Sequence, residues 1–293
     1  MKYVLENEYL TVTFQSLGGA LSSIQNKEGL EYLWQGDKTY WGGQAPVLFP
    51  ICGSLKNDRA KIGTNQVTEM PRHGIVRKKE FSCIEQDSDS ILFCIESDEE
   101  AYQQFPYHFK LGIRYTLIKN TIRTKYIVEN QGKEKMPFFI GGHPGFNCPL
   151  FPEESYEDYW LEFPVQETCS VPNPITETGL IDMQHRTEFL KKQEKLRLSH
   201  DLFTKDAVIL DEIKSRSVKL VSSNHDRSVE LEFPDFPYLI LWSSANKGPF
   251  VALEPWLGLS TCSDESDVFE QKRNVQIVNS KETKTYYFDI KIF

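Results

Sequence analysis

The sequence predicts an all-β protein, a large antiparallel β-sandwich that spans residues 1–293 as a single domain. Apolar and polar residues alternate with a period of two along many short segments, as they do in half-buried strands. Turn residues separate these segments, and no long amphipathic helix interrupts them. No Gly/Ser-rich or Pro-rich linker divides the chain, and 293 residues suffice to bury a core without disulfides or metals.

The first predicted strand covers residues 10–14, where Leu, Val and Phe alternate with Thr. A single helical turn is expected over Asp98–Gln104, closed by Phe105 and Pro106. Two long alternating segments, 109–117 and 122–128, follow. Only a short Lys-Asn step lies between them, which predicts a tight hairpin.

A second hairpin is predicted in the last third of the chain. Residues 216–220 are echoed by residues 227–231, and Asn, His and Asp lie between them as turn residues. This pairing would bring Lys219 opposite Glu230. Alternation returns at residues 286–293, which predicts a C-terminal strand.

Composition limits the partners and the compartment. The net charge is −9, which argues against nucleic acid, whose binding depends on Lys and Arg. No run approaches the roughly 18 apolar residues of a membrane helix, and charges interrupt the N-terminal segment, so we expect neither membrane association nor secretion. Six cysteines without a CxxC pair are expected to be small buried residues in a reducing cytoplasm.

Three segments place a titratable residue beside Gly or Pro within an apolar run: 70–77, 139–147 and 250–256. Glu254 lies in the third, and a carboxylate in so apolar a strand is costly to bury unless it has a partner or a function. His143 lies between Gly142 and Pro144, which favour an extended backbone and close approach. A core histidine bonded to a carbonyl remains an alternative for His143.

The first segment holds His73 in a basic cluster. Its cations are Arg72, Arg77, Lys78 and Lys79. A short run of charge is usually a solvated loop face. A strand through residues 75–79 would point Arg77 and Lys79 to one side and Lys78 to the other, so only part of the cluster would face a cleft.

Together and in this order, the three segments resemble the aldose 1-epimerase (galactose mutarotase-like) family. The resemblance covers nearly the whole chain and includes Gly18-Gly19-Ala20, residues 33–36 and residues 47–50. It implies a galactose mutarotase-like supersandwich with an open sugar-binding cleft. It also implies interconversion of the α and β anomers of an aldohexose by acid–base ring opening, without a metal or an organic cofactor.

The resemblance also implies roles for particular residues. Glu254 matches the family's general base and His143 its general acid. His73 matches a second histidine near the ring oxygen, and Asp206 resembles an aspartate that binds sugar hydroxyls. Trp256, with Trp41 and Trp242, is a candidate for stacking on the sugar. In one departure, Ser54 stands where relatives usually carry an arginine, and Lys56 or Arg59 is the expected replacement.

Ring opening requires a base at the anomeric hydroxyl and an acid at the ring oxygen. We expect ionised Glu254 and protonated His143 on opposite sides of a small site. Their attraction would lower the pKa of the carboxyl and raise that of the imidazole.

Several alternatives remain open at this point. Two histidines and a carboxylate on a β-scaffold could form a cupin-like metal triad, although the His-x-His pair of cupins is absent. A second alternative is a protein of the same fold that binds sugars but does not catalyse a reaction. The substrate is expected to be a free aldohexose; a hexose 6-phosphate, contacted by Arg72 or Arg77, is the alternative. The sequence does not distinguish a monomer from a homodimer.

Overall fold

The computed structural model describes all 293 residues and is almost entirely β-structure. Its 22 strands form five sheets in which every hydrogen-bonded strand pair is antiparallel. The two largest sheets have nine and six strands and form the two layers of a sandwich. The predicted all-β class is therefore confirmed. No helix in the structure is both long enough and apolar enough to span a membrane.

The strands, in chain order, are β1 (Lys2–Glu6), β2 (Leu10–Gln15), β3 (Ala20–Asn26), β4 (Val47–Leu48), β5 (Arg59–Ile62), β6 (Gln66–Glu69), β7 (Ser82–Gln86), β8 (Ser90–Glu96), β9 (Phe109–Ile118), β10 (Thr121–Asn130), β11 (Met136–Phe138), β12 (Gly141–Gly142), β13 (Gly145–Asn147), β14 (Tyr159–Ile175), β15 (Leu180–Arg197), β16 (Val208–Leu210), β17 (Ser217–Ser222), β18 (Ser228–Glu232), β19 (Tyr238–Trp242), β20 (Phe250–Trp256), β21 (Gln276–Val278) and β22 (Thr283–Ile292). One α-helix, α1 (Glu99–Gln104), and four 3₁₀ segments, Lys56–Asp58, Tyr156–Asp158, His200–Phe203 and Phe269–Gln271, complete the elements.

The nine-stranded sheet runs in the order β15-β14-β17-β18-β22-β10-β9-β8-β7. Its β9–β10 hairpin turns at Lys119, whose φ of 54° is the left-handed conformation that such tight turns require. In the β17–β18 hairpin, Lys219 lies opposite Glu230. Both predicted hairpins and the C-terminal strand are confirmed.

The predicted helical turn is α1. The Asp98 side chain accepts a hydrogen bond of 2.7 Å from the backbone N–H of Ala101, which makes it an N-cap.

The six-stranded sheet carries strands β16-β19-β20-β12-β4 in that order, and β13 pairs with β20. All seven residues of β20 are buried, so neither face of this strand is open to bulk solvent. On one face, Gly142 approaches the nine-stranded sheet so closely that a Cβ there would lie 2.9 Å from the Phe288 ring. The opposite face of the sheet is left to line a cavity.

The core is a single cluster of 74 buried residues that runs from Leu5 to Ile292. All six cysteines are free thiols, and five are buried as expected, whereas Cys83 is only partly buried.

Candidate active site

Two neighbouring strands form the floor of the cavity. On β20, Glu254 and Trp256 lie on one face, and in the register Ile240 of β19 lies directly opposite Glu254. Glu254 is 1% exposed, so its carboxyl group is buried rather than directed into solvent. Its Oε2 has no hydrogen-bond partner within the chain, nor has Nε1 of Trp256. Both atoms are available to a ligand.

His143 lies between β12 and β13, where its backbone N–H donates to the Pro46 carbonyl at 3.1 Å. Its Nε2 is 3.3 Å from Oε2 of Glu254, within ion-pair distance although the two do not form a well-aligned hydrogen bond. The Trp41 ring stacks on the imidazole at 4.7 Å between centroids, and Trp242 meets it edge-on at 5.6 Å.

His73 lies in a tight turn of left-handed backbone, with φ of 69° at His73 and 77° at Gly74. A Cβ at Gly74 would lie 2.2 Å from the Phe49 carbonyl oxygen, so the turn requires glycine. The backbone N–H of Gly53 donates to Nδ1 of His73 at 3.1 Å, and Nε of Arg72 approaches Nε2 at 3.3 Å. A neutral imidazole accepts at only one nitrogen, so these two donors compete.

All six residues that the sequence singled out line one cavity of about 230 Å³. They are His73, Arg77, His143, Asp206, Glu254 and Trp256. Trp41, Trp242 and Arg72 also line it. Its remaining lining residues are Pro46, Ala207 and Ile240, which had no recognisable signal in the sequence. This volume suits one small ligand, since pockets for drug-sized molecules span roughly 300–1,000 Å³.

The cavity contains an arginine where Ser54 was expected to leave a gap. A Cβ on Gly179 would lie 3.0 Å from Oγ of Ser54 and 3.4 Å from Nη1 of Arg72, so this guanidinium lies beside Ser54. Arg72 Nη1 is also 3.6 Å from Oδ2 of Asp206. The guanidinium is therefore supplied by the residue next to His73.

Lys56 and Arg59 do not replace the missing arginine, so that expectation was wrong. Both line a different cavity, where Lys56 lies 3.9 Å from Asp267 and Arg59 lies 2.7 Å from Glu69.

The expected strand over residues 75–79 was also wrong. The segment is a series of turns, because the Lys79 N–H bonds back to the Val76 carbonyl and no neighbouring strand pairs with it. Arg77 faces the cavity, whereas Lys79 is bound by Asp98 and Glu100 away from it.

The expected charge state of the pair is overturned by burial. Burial, assisted by the charges of Arg72 and Arg77, lowers the pKa of His143 to about 3. Burial raises the pKa of Glu254 well above 4.5; the Arg72 charge opposes this increase and Asp206 adds to it. Desolvation outweighs the attraction between the two groups, so burial favours a neutral pair.

The neutral pair holds the same number of protons as the ion pair. A carboxylic acid beside a neutral imidazole becomes a carboxylate beside an imidazolium when one proton crosses the 3.3 Å between Oε2 and Nε2. The pair therefore has one proton to give and one site to receive a proton in either form.

The two groups are adjacent rather than on opposite sides of the site. This geometry corrects the expectation and still suits a hemiacetal, whose hydroxyl and ring oxygens are attached to the same carbon. An acid and a base that serve those two oxygens must lie close together.

Similarity to known proteins agrees with this geometry. Residues 1–268 match the family model for aldose 1-epimerase. The chain belongs to the aldose 1-epimerase family. Protein LacX of Lactococcus lactis is 50% identical over 297 residues, which cover 100% of this chain and 99% of that protein.

Solved structures related to this family share the fold. A galactose mutarotase related enzyme from Lactobacillus acidophilus is 28% identical, with a TM-score of 0.94 over 100% of this chain and 97% of that one. A galactose mutarotase-like protein from Lactobacillus casei is also 28% identical, with a TM-score of 0.89 over 100% of both chains. The resemblance that the three segments predicted is thereby confirmed, and so is the supersandwich. Membership supports a general sugar epimerase role.

Proposed function

We propose that the protein is an aldose 1-epimerase that opens and recloses the ring of an aldohexose and thereby exchanges its α and β anomers. The observation that carries this proposal is the buried contact between Glu254 and His143, 3.3 Å apart on the cavity floor. Oε2 of Glu254 has no other partner, so the anomeric hydroxyl of a sugar can occupy its free hydrogen-bonding position.

In the forward direction, the Glu254 proton first crosses to His143 within the pair. Glu254 then takes the proton of the anomeric hydroxyl while His143 gives a proton to the ring oxygen. The bond between the ring oxygen and the anomeric carbon breaks, and an aldehyde and a hydroxyl form. The pair then holds the neutral arrangement that the buried site favours. After the aldehyde turns about its single bond, Glu254 gives its proton to the aldehyde oxygen and His143 takes the proton of the hydroxyl as that oxygen bonds the carbon, so the ring closes on the other face.

The remaining residues of the cavity support binding in this proposal. Trp41, Trp242 and Trp256 offer aromatic walls for the apolar face of a pyranose. His73, Arg72 and Asp206 offer donors and acceptors for the ring oxygen and the hydroxyls. These proton transfers need no metal or organic cofactor, and no group of three or more His, Cys, Asp or Glu side chains is arranged to hold a metal ion.

His143→Asn tests the proposal. Asparagine still forms hydrogen bonds but cannot carry the proton, so we expect kcat for anomer exchange to fall at least about 10²-fold, as for other general acids. His185→Asn is the matched control, because that imidazole lies at the surface and bonds Asp182. A loss confined to KM would make His143 a binding residue and favour a sugar-binding protein without turnover.

A further inference from the structure

A second cavity adjoins the candidate active site. It measures about 290 Å³ and shares Trp41, Pro46 and Arg77 with the first cavity. Lys78 lines only the second cavity, as do Gly42 and Gly43. Trp41 stacks on His143, so one of the three shared residues directly contacts the acid–base pair. The second cavity is therefore a neighbouring space for a substituent of a ligand at the pair, and Arg77 lines both spaces.

Arg77 is distinctive among the arginines of this chain. Its half-buried guanidinium makes no ion pair and no hydrogen bond within the chain, and burial together with Arg72 lowers its pKa without an opposing carboxylate. Every other arginine side chain bonds a carboxylate, a carbonyl or a ring nitrogen; Arg123 with Asp289 is an example. A partly buried cation without a partner needs an anion or ordered water.

The backbone holds Arg77 firmly in this position. Gly18, with φ of 72°, approaches so closely that a Cβ would lie 2.9 Å from the Arg77 carbonyl oxygen. The Gly18 N–H also donates to the Lys79 carbonyl at 2.8 Å. The loop is therefore clamped against the turn between β2 and β3, and Arg77 reaches the boundary of the two cavities from a fixed backbone.

The side chains that line the two cavities carry a net positive charge, although the net charge of the whole protein is −9. Arg72, Arg77 and Lys78 supply three cations, and Asp206 offsets one of them. Burial raises the pKa of Glu254 and so favours its neutral form, which offsets the cations less than the Asp206 carboxylate does. Local potential of this kind draws a small anion whatever the total charge.

We propose that this second cavity binds the phosphate of an aldose phosphate, with Arg77 as the main contact and Lys78 as an added charge. The inference rests on the proposed function and replaces the preference for a free aldohexose. A guanidinium offers a planar pair of donors that matches phosphate, and a lysine adds a point charge. Glu254 and Arg77 line one cavity of only about 230 Å³, so a single monosaccharide reaches from one to the other.

The test compares kcat/KM for anomer exchange of glucose and galactose with that of their 6-phosphates. Glucuronate, whose C6 is a carboxylate, is a third arm that offers an anion without a phosphate. We expect the wild type to prefer a 6-phosphate at least about tenfold at low salt, and to lose part of this preference at 0.5 M salt because salt screens charge. A preference for glucuronate instead would overturn the phosphate assignment.

Arg77→Gln identifies the contact. We expect the ratio of kcat/KM for the phosphate to that for the free sugar to fall about tenfold or more, as when a charged hydrogen bond is removed. Arg59→Gln is the control, because Arg59 pairs with Glu69 in another cavity and should leave the ratio within about twofold. An unchanged ratio in Arg77→Gln, or equal use of free and phosphorylated sugars by the wild type, would overturn the inference. Absence of exchange with every sugar would instead overturn the proposed function.

Discussion

Glu254→Gln is the substitution that separates proton transfer from packing. The two side chains have nearly the same size and shape, so a position that is 1% exposed keeps its contacts. The amide cannot take the proton of the anomeric hydroxyl. We expect kcat to fall about 10²- to 10⁴-fold, the usual contribution of a general base. This loss corresponds to about 2.7–5.5 kcal/mol of transition-state stabilisation.

The same substitution should stabilise the fold at neutral and alkaline pH. Burial raises the pKa of Glu254 above the 4.5 of an unfolded chain, so the native carboxyl keeps a proton that the unfolded chain releases. Native stability of the wild type therefore falls as pH rises from about 4.5 towards the raised pKa. Glutamine has no proton to lose. We expect a gain of about 0.5–2 kcal/mol at pH 8 and little gain at pH 4.5.

Two measurements check this prediction. Exchange NMR on α and β anomers gives kcat, and thermal melts at pH 4.5 and 8 give the stability difference. Glu230→Gln serves as the control, because that carboxylate lies on β18 opposite Lys219, outside the cavity. Near-wild-type exchange in Glu254→Gln would refute its role as the base. A stability gain that is larger at pH 4.5 than at pH 8 would refute the reasoning about burial.

Three further predictions concern the turn at His73, the pH profile and metals. Gly74→Ala would place a Cβ 2.2 Å from the Phe49 carbonyl oxygen, at a residue whose φ is 77°. We therefore expect urea unfolding to show a destabilisation of about 1–3 kcal/mol. An unchanged unfolding midpoint would contradict this prediction. Because the pKa of His143 is lowered to about 3, kcat/KM at pH 5 should stay within about twofold of its value at pH 7, whereas an acid limb near pH 6.5 would contradict this. Chelators should leave exchange rates unchanged; activity that follows removal of a stoichiometric metal would favour a metal triad.

Local patterns in the sequence predicted the strands that have one buried and one solvated face. The alternation over residues 109–117 and 122–128 corresponds to β9 and β10. Successive side chains of a strand point to opposite faces, so that one face packs on the core and the other contacts water. The apolar run over residues 250–256 was also readable as a strand, and its single carboxylate marked the site. The three motif segments pointed to Glu254, His143 and His73, which the fold brings together at one cavity.

Features that depend on tertiary contacts were not predictable in this way. Residues 75–79 were expected to form a strand, but the Lys79 N–H bonds back to the Val76 carbonyl, while Phe49 and Gly18 bond the two ends of the segment. Arg72 and Ser54 are 18 residues apart along the chain, yet both side chains approach Gly179. No local sequence pattern predicts such a contact. From the sequence, the attraction between Glu254 and His143 was expected to favour an ion pair. Burial instead favours the neutral form of both groups, and the depth of burial could not be predicted from local patterns.

The most direct test of the central claim is whether the wild-type protein catalyses anomer exchange at all. Exchange NMR on glucose, galactose and their 6-phosphates, at several protein concentrations, gives the catalysed rate above the spontaneous one. The acid–base pair formed by Glu254 and His143 predicts an exchange rate that rises in proportion to protein concentration for at least one of these sugars. A rate equal to the spontaneous one for every sugar, with binding intact, would contradict the account and leave a sugar-binding protein of the same fold.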